Sequence, residues 1–175
     1  MYKTILGFVV LAASAYGQFG FGIKLGVPAT DAFEVVNTQS IASSQHFTWG
    51  PYVELRIPKN NSIELDALHR SYDYGSAGDG SSWEFPLVLK HRIGQHLIKP
   101  YFEGGAAFSR LSDINLSTLK QRSNFGLVVG GGLEFNLLFL KISPEFRYTG
   151  WTMDNFQGSI DTNRNQFAVL MGIGF

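Results

Sequence analysis

His69 and Ser71 are the side chains in this sequence that are best placed for hydrolytic chemistry. They lie two residues apart on a predicted strand and therefore share one face, where a histidine base could activate a serine nucleophile. Such a site also needs a carboxylate to orient the histidine. On the next predicted strand, Trp83 and Phe85 occupy that face and Glu84 points to the opposite one. We therefore predict that the pair is not catalytic.

Ligand-binding chemistry has weaker candidates. His46, His91 and His96 form no cluster with the spacing of metal ligands. The three glycines at 130–132 lie within an alternating stretch and not between a strand and a helix, so they do not form a phosphate-binding loop. The formal net charge is zero and there is no basic stripe, which argues against a nucleic-acid partner. We predict no metal and no cofactor.

Charged side chains are the third candidate, and they gather on one face of the predicted strands. This face carries seven basic and seven acidic residues, including Glu84 and Lys141. If the face is internal, its charges need partners, because an unpaired buried charge costs several kcal/mol. We predict a network of ion pairs formed by Lys24, Glu54, Arg56, Glu64, Asp66, Arg70, Lys90, Arg92, Glu103, Glu134, Glu145 and Arg147.

A strand pattern, in which apolar and polar residues alternate, positions these side chains. Eight such segments are present, and most are 9 to 12 residues long. Strands of about 9–11 residues can cross a bilayer at a tilt. The predicted strands are residues 19–27, 46–57, 62–71, 83–93, 100–109, 124–135, 140–150 and 165–175.

Two features indicate that the apolar face is the outer one. First, this face carries no Asp, Glu, Lys or Arg, and its aromatic residues lie near the strand ends, as in the girdles of membrane barrels. One rim has Trp49, Trp83, Phe85, Phe108, Phe125, Tyr148 and Phe167, and the other has Phe19, Phe102, Phe135 and Phe175. Second, long connections (28–45, 72–82, 110–123, 151–164) alternate with short ones (58–61, 94–99, 136–139).

The pattern predicts an all-β protein, an eight-stranded antiparallel up-and-down transmembrane β-barrel. A soluble exported β-sandwich or lipocalin-like barrel is the main structural alternative, since alternation alone suits both. Pro51, Pro86 and Pro144 fall inside the predicted strands. Because proline cannot donate to the hydrogen-bond ladder, we predict bulges there, or barrel wall that projects beyond the bilayer.

The N-terminus has the pattern of a Sec-type signal peptide. Lys3 precedes an apolar stretch over residues 5–13, and small residues follow at 13–15. We predict a signal peptide over residues 1–17 and a barrel domain over residues 18–175.

The final strand carries the most specific resemblance to a known family. Its apolar residues alternate up to a terminal phenylalanine, as Phe167, Val169, Met171, Ile173 and Phe175. This resembles the C-terminal signal read by the barrel-assembly machinery, and the whole chain resembles the small outer-membrane β-barrels of the outer membrane protein A and X type. The resemblance implies the outer membrane of a Gram-negative bacterium, with lipid and lipopolysaccharide as partners.

The expected function follows from the predicted architecture. Eight strands enclose a space that side chains just fill, so we expect a structural or surface-interaction role, with loops that meet lipopolysaccharide or an extracellular ligand. A narrow porin-like channel is the alternative. A lipid A-modifying enzyme is the third, because the spacing of His69 and Ser71 resembles that of outer-membrane lipid A deacylases.

Overall fold

The computed structural model describes residues 18–30, 33–35, 43–73, 79–94, 97–112, 123–152, 160–162 and 164–175. The predicted signal peptide lies outside the described residues. Within the described ranges, no helix is long and apolar enough to cross a membrane.

The described chain is built from antiparallel strands that close on themselves. The strands are β1 (Phe19–Pro28), β2 (Phe33–Val35), β3 (Ser43–Ile57), β4 (Asn61–Asp66), β5 (Leu68–Asp73), β6 (Asp79–Arg92), β7 (Ile98–Ser112), β8 (Ser123–Leu137), β9 (Leu140–Trp151), β10 (Ile160–Thr162) and β11 (Asn165–Gly174). β1 pairs with both β3 and β11, which closes the sheet, and β4 and β5 together form one wall strand between β3 and β6. The predicted eight-stranded antiparallel barrel is therefore confirmed.

Two ends of the barrel are distinguished by their connections. The connections from β3 to β4, from β6 to β7 and from β8 to β9 are short in sequence, and we call this the turn end. The first of these turns holds Lys59 and Asn60 at φ 66° and 63°. At the other end, the loop end, the strands extend further than predicted, since β6 begins at Asp79 and not at residue 83. A short ribbon of β2 and β10 lies within connections that were predicted as loops.

The wall strand formed by β4 and β5 is interrupted at Ala67, because prolines flank it. The Ala67 N–H donates to the Pro51 carbonyl over 2.9 Å, but Pro51 has no N–H to donate in return. On the other side, Pro86 of β6 falls in the gap between the pairings of β4 and of β5, and it also lacks an N–H. The interruption is thus a loss of hydrogen bonds.

The prediction of bulges at Pro51, Pro86 and Pro144 is wrong, whereas the alternative, barrel wall that projects beyond the bilayer, stays a prediction. The pairing register is the same on both sides of each proline. Each proline leaves one hydrogen-bond donor missing, but no extra residue is inserted and the register continues past it. A register shift does occur in β3, but near the loop end, between Ser44 and Thr48.

The apolar face of the wall points outward. Ile23, Leu127 and Phe146 expose 54%, 62% and 69% of their surface, far more than the residues of a water-soluble core would. Aromatic rings meet near both rims, with Tyr148 and Phe167 4.9 Å apart at the loop end and His91 and Phe102 5.2 Å apart at the turn end. This decides against the soluble alternative, which requires the apolar face inside.

Candidate functional site: the charged barrel interior

The alternation of each strand directs its charged residues into the barrel. All of the residues predicted for the ion-pair network are buried except Arg56, which is exposed at the turn end. Its guanidinium Nη2 lies 3.5 Å from the main-chain oxygen of Phe175. Lys141, which was on the charged face but not in the predicted network, is buried with the others, whereas Glu84 is half-buried.

Seven of the buried charges form the central cluster: Lys24, Glu64, Asp66, Lys90, Glu103, Glu145 and Arg147. Lys24 Nζ lies 2.6 Å from Glu64 Oε1, 3.1 Å from Asp66 Oδ2 and 3.2 Å from Glu145 Oε2. These partners come from β4 and β9, so one ammonium group links three wall strands across the interior.

The other two cations of the central cluster bridge carboxylates in the same way. Lys90 Nζ lies 2.8 Å from Glu64 and 3.3 Å from each of Glu103 and Glu145. Arg147 lies 2.7 Å from Asp66, 3.0 Å from Glu103 and 2.7 Å from Glu145. Each cation therefore serves three carboxylates, which offsets the cost of removing these charges from water.

A second group, the turn-end cluster, consists of Glu54, Arg92, Glu134 and Lys141. Arg92 Nε lies 2.6 Å from Glu134 Oε2, and both Arg92 and Lys141 pair with Glu54. Arg92 also donates to the hydroxyl of Ser62 over 2.8 Å. This cluster has two cations and two carboxylates, so its formal charges balance.

Tyr52 lies between the two clusters. Its ring centroid is 5.7 Å from Lys24 Nζ and 5.6 Å from Lys141 Nζ, within the range of cation–π attraction. In the central cluster, the Tyr101 hydroxyl donates to Glu145 over 2.9 Å. Both tyrosines occupy inward positions of the alternation, which is the sequence signal for them, whereas the predicted network contained charged residues alone.

On the loop side of the central cluster, the inward positions become apolar. Along β6, the next inward position from Lys90 toward the loop end is Val88. Four buried side chains pack together here as the apolar layer: Val88, Ala107, Val128 and Trp151. Nearer the loop end on β5, Arg70 donates to Thr48 over 3.2 Å and to Gln166 over 3.3 Å. The interior thus contains both charged clusters and an apolar cluster, which meet where Val88 pairs with Glu64.

The central cluster contains one more carboxylate than it has cations. It holds four carboxylates and three cations. Glu103 has the weakest contacts, because its ion pairs measure 3.0 and 3.3 Å and its Oε2 accepts no hydrogen bond within the described residues. Glu145, in contrast, contacts all three cations. Among the carboxylates of the central cluster, removing the charge of Glu103 should therefore lower the free energy of unfolding least.

We expect Glu103→Gln to leave the free energy of unfolding within about 1 kcal/mol of wild type, and Glu145→Gln to lower it by about 2–3 kcal/mol. Both substitutions keep the shape of the side chain and remove one negative charge. The measurement is urea unfolding of the detergent-refolded barrel, followed by tryptophan fluorescence. Equal midpoints for the two variants would contradict the inference from charge excess.

Three carboxylates of the central cluster lie close enough together to bridge a cation. One oxygen from each of Glu64, Glu103 and Glu145 lies within 4.8 Å of the others. The ammonium groups of Lys24 and Lys90 already lie against Glu64, at 2.6 and 2.8 Å. The protein therefore supplies positive charge to this triangle from its own side chains.

The His69 and Ser71 pair lies on the outer face near the loop end. The His69 ring centroid is 5.9 Å from that of Trp49 and 5.0 Å from that of Trp83, so tryptophans flank the imidazole on both sides. Among the described residues, no carboxylate is within ion-pairing distance of His69. The structure places this histidine in an aromatic rim.

Solved structures with the same architecture are outer-membrane proteins. The chain matches OprG from Pseudomonas aeruginosa (TM-score 0.64, 14% identity, covering 89% of this chain and 92% of that one). It also matches Neisserial surface protein A (TM-score 0.60, 12% identity, 89% and 93% covered) and the outer-membrane enzyme PagL (TM-score 0.52, 15% identity, 89% and 98% covered). No family model and no curated protein matches the chain.

Sequence identities this low indicate a shared fold but not a shared activity. The neighbours themselves differ in role, since one is an enzyme and another is a surface protein. The closed strand order, the outward apolar face and the buried charges agree with these structures as a set. The chain therefore has the fold of the small eight-stranded outer-membrane β-barrels, which is the fold that the resemblance in its sequence implies.

Proposed function

We propose that the protein is an integral outer-membrane barrel with a structural or surface-interaction role and a closed interior. The observation that carries this proposal is the filling of the interior by the turn-end cluster, the central cluster and the apolar layer. An eight-stranded barrel is narrow enough for side chains to fill. A wide diffusion channel, in contrast, needs about 16 strands.

The outward apolar face supports a position in the membrane. The closed sheet supports it as well, because strands that are hydrogen-bonded to neighbours on both sides leave no open sheet edge in lipid. In this position the wall contacts outer-membrane lipid. We propose that the connections at the loop end contact lipopolysaccharide or an extracellular ligand. The exposed alternating residues of β11, from Phe167 to Ile173, together with Phe175, support recognition by the barrel-assembly machinery.

A narrow porin-like channel and a lipid A-modifying enzyme are less well supported. A channel requires a continuous water path, whereas two ion-pair clusters link different walls of the interior and the apolar layer covers the inner side of β6 to β9. An enzyme of the His and Ser type requires an oriented imidazole, whereas tryptophans flank His69.

Planar-bilayer recordings test the closed interior. We expect the refolded wild-type protein to give no steady conductance steps, because ions would have to cross the buried side chains of both clusters. The control is a mobility shift on SDS gels with and without boiling, which shows that the same sample contains folded barrel. Steps of constant size from a folded sample would overturn the closed interior and favour the channel.

A further inference from the structure

A pocket of about 390 Å³ opens at the turn end of the barrel. Its lining includes four cationic side chains, Arg56, Lys59, Arg92 and Lys99, and a single carboxylate, Glu134. Arg56, Arg92, Lys99 and Glu134 lie at inward positions of their strands, and Lys59 lies in the turn between β3 and β4. We call this the turn-end pocket.

The charges of the turn-end pocket do not balance. Glu134 is engaged by Arg92 Nε at 2.6 Å, and Arg92 also pairs with Glu54 in the turn-end cluster. Within the described residues, neither Lys59 nor Lys99 has an ion pair. The pocket lining therefore carries an excess of positive charge, unlike the central cluster, whose excess is negative.

The rim of the pocket is held in place by hydrogen bonds. Asn60 Nδ2 donates to the Gly94 carbonyl and Asn61 Nδ2 donates to the Pro58 carbonyl, both over 3.2 Å. Arg56 Nη2 lies 3.5 Å from the main-chain oxygen of Phe175, at the mouth of the pocket. The rim that carries these cations is fixed by hydrogen bonds, which lowers the conformational entropy lost when an anion binds.

We propose that the turn-end pocket binds a phosphate group. The excess of positive charge attracts an anion, and guanidinium and ammonium groups are the usual phosphate ligands in proteins. The volume exceeds that of a free phosphate and leaves room for a small ester attached to it. The phosphate belongs to a lipid headgroup at the membrane surface or to a soluble phosphate compound, because both present anionic phosphate oxygens to the cations of the pocket.

Isothermal titration with inorganic pyrophosphate tests the site in the full mature chain, refolded in a phosphate-free zwitterionic detergent. We expect saturable binding by wild type, and binding about tenfold weaker or more in the double variant Lys59→Gln, Lys99→Gln. The matched control is Arg110→Gln, an exposed cation near the loop end, which should bind as wild type does. Equal affinity in the double variant and wild type, or no saturable binding by wild type, would overturn the proposal.

A second arm identifies the source of the phosphate. The protein is placed in nanodiscs of phosphatidylcholine alone or of phosphatidylcholine with phosphatidylglycerol, and the pyrophosphate titration is repeated. Loss of pyrophosphate binding only with phosphatidylglycerol would support the site and assign it to an anionic lipid headgroup. Binding that persists in both would support the site and assign it to soluble phosphates. Neither result depends on whether the interior conducts.

Discussion

Replacing Arg147 with methionine is expected to lower the free energy of unfolding of the barrel by about 3–5 kcal/mol. The guanidinium contacts Asp66, Glu103 and Glu145, all of them buried. Without it, four carboxylates would share only Lys24 and Lys90. Breaking a buried ion pair is costly because the remaining partner keeps its charge out of water.

Urea unfolding of the refolded protein, followed by tryptophan fluorescence, measures this effect. Arg110→Met is the matched control, because Arg110 is exposed and should change stability by about 0.5 kcal/mol or less. The variant Arg147→Lys, which keeps the charge but loses the planar fork, should fall between Arg147→Met and wild type. An unfolding midpoint for Arg147→Met equal to that of wild type would show that the central cluster does not depend on this cation.

Replacing Gly50 with valine is expected to abolish the folded barrel or to destabilise it by about 3 kcal/mol or more. A Cβ at this position would lie 1.8 Å from the carbonyl oxygen of Ala67. This obstacle is backbone of the neighbouring wall strand, so no side-chain rotation relieves it. The position lies beside Pro51, where the β4 and β5 wall strand has already lost hydrogen bonds.

The boiled and unboiled SDS gel shift measures this second effect, with loss of the fast-migrating band as the expected result. Gly104→Val is the matched control, because a Cβ there meets only the Val128 carbonyl oxygen, at 3.9 Å. It lies on the outer face of β7, where added apolar surface can meet lipid. A wild-type gel shift for Gly50→Val would mean that the wall strands can separate at Ala67 without loss of the fold.

The sequence predicts the strands and their faces well, because a period of two residues is a local property. The direction of Ile23 and Glu64, for example, follows from alternation alone. What the sequence could not predict is which charges meet: Lys24 contacts Glu64 on β4 and Glu145 on β9. Such partners depend on the pairing register and on closure, which are properties of the whole barrel.

Two further features also depended on neighbouring strands. The prolines were predicted to cause bulges, but their effect is the break at Ala67, which arises because Pro51 and Pro86 lie on opposite sides of the same wall strand. Similarly, the apolar layer is assembled from four different strands. Val88, Ala107 and Val128 were isolated apolar residues on the predicted charged face, and Trp151 lay in a predicted connection, so only the fold shows that they pack together.

The contacts of Lys24 constrain the order in which the barrel can be assembled. Lys24 lies on the first strand, yet one of its partners, Glu145, lies on β9, near the end of the chain. Lys24 has nearer partners on β4, but a sheet that entered lipid without β9 would lack both Glu145 and Arg147. The central cluster would then hold three carboxylates against two cations in hydrocarbon, at a cost of several kcal/mol. We therefore expect entry into the bilayer to become favourable only when β9 has joined the sheet, so that closure and insertion occur together.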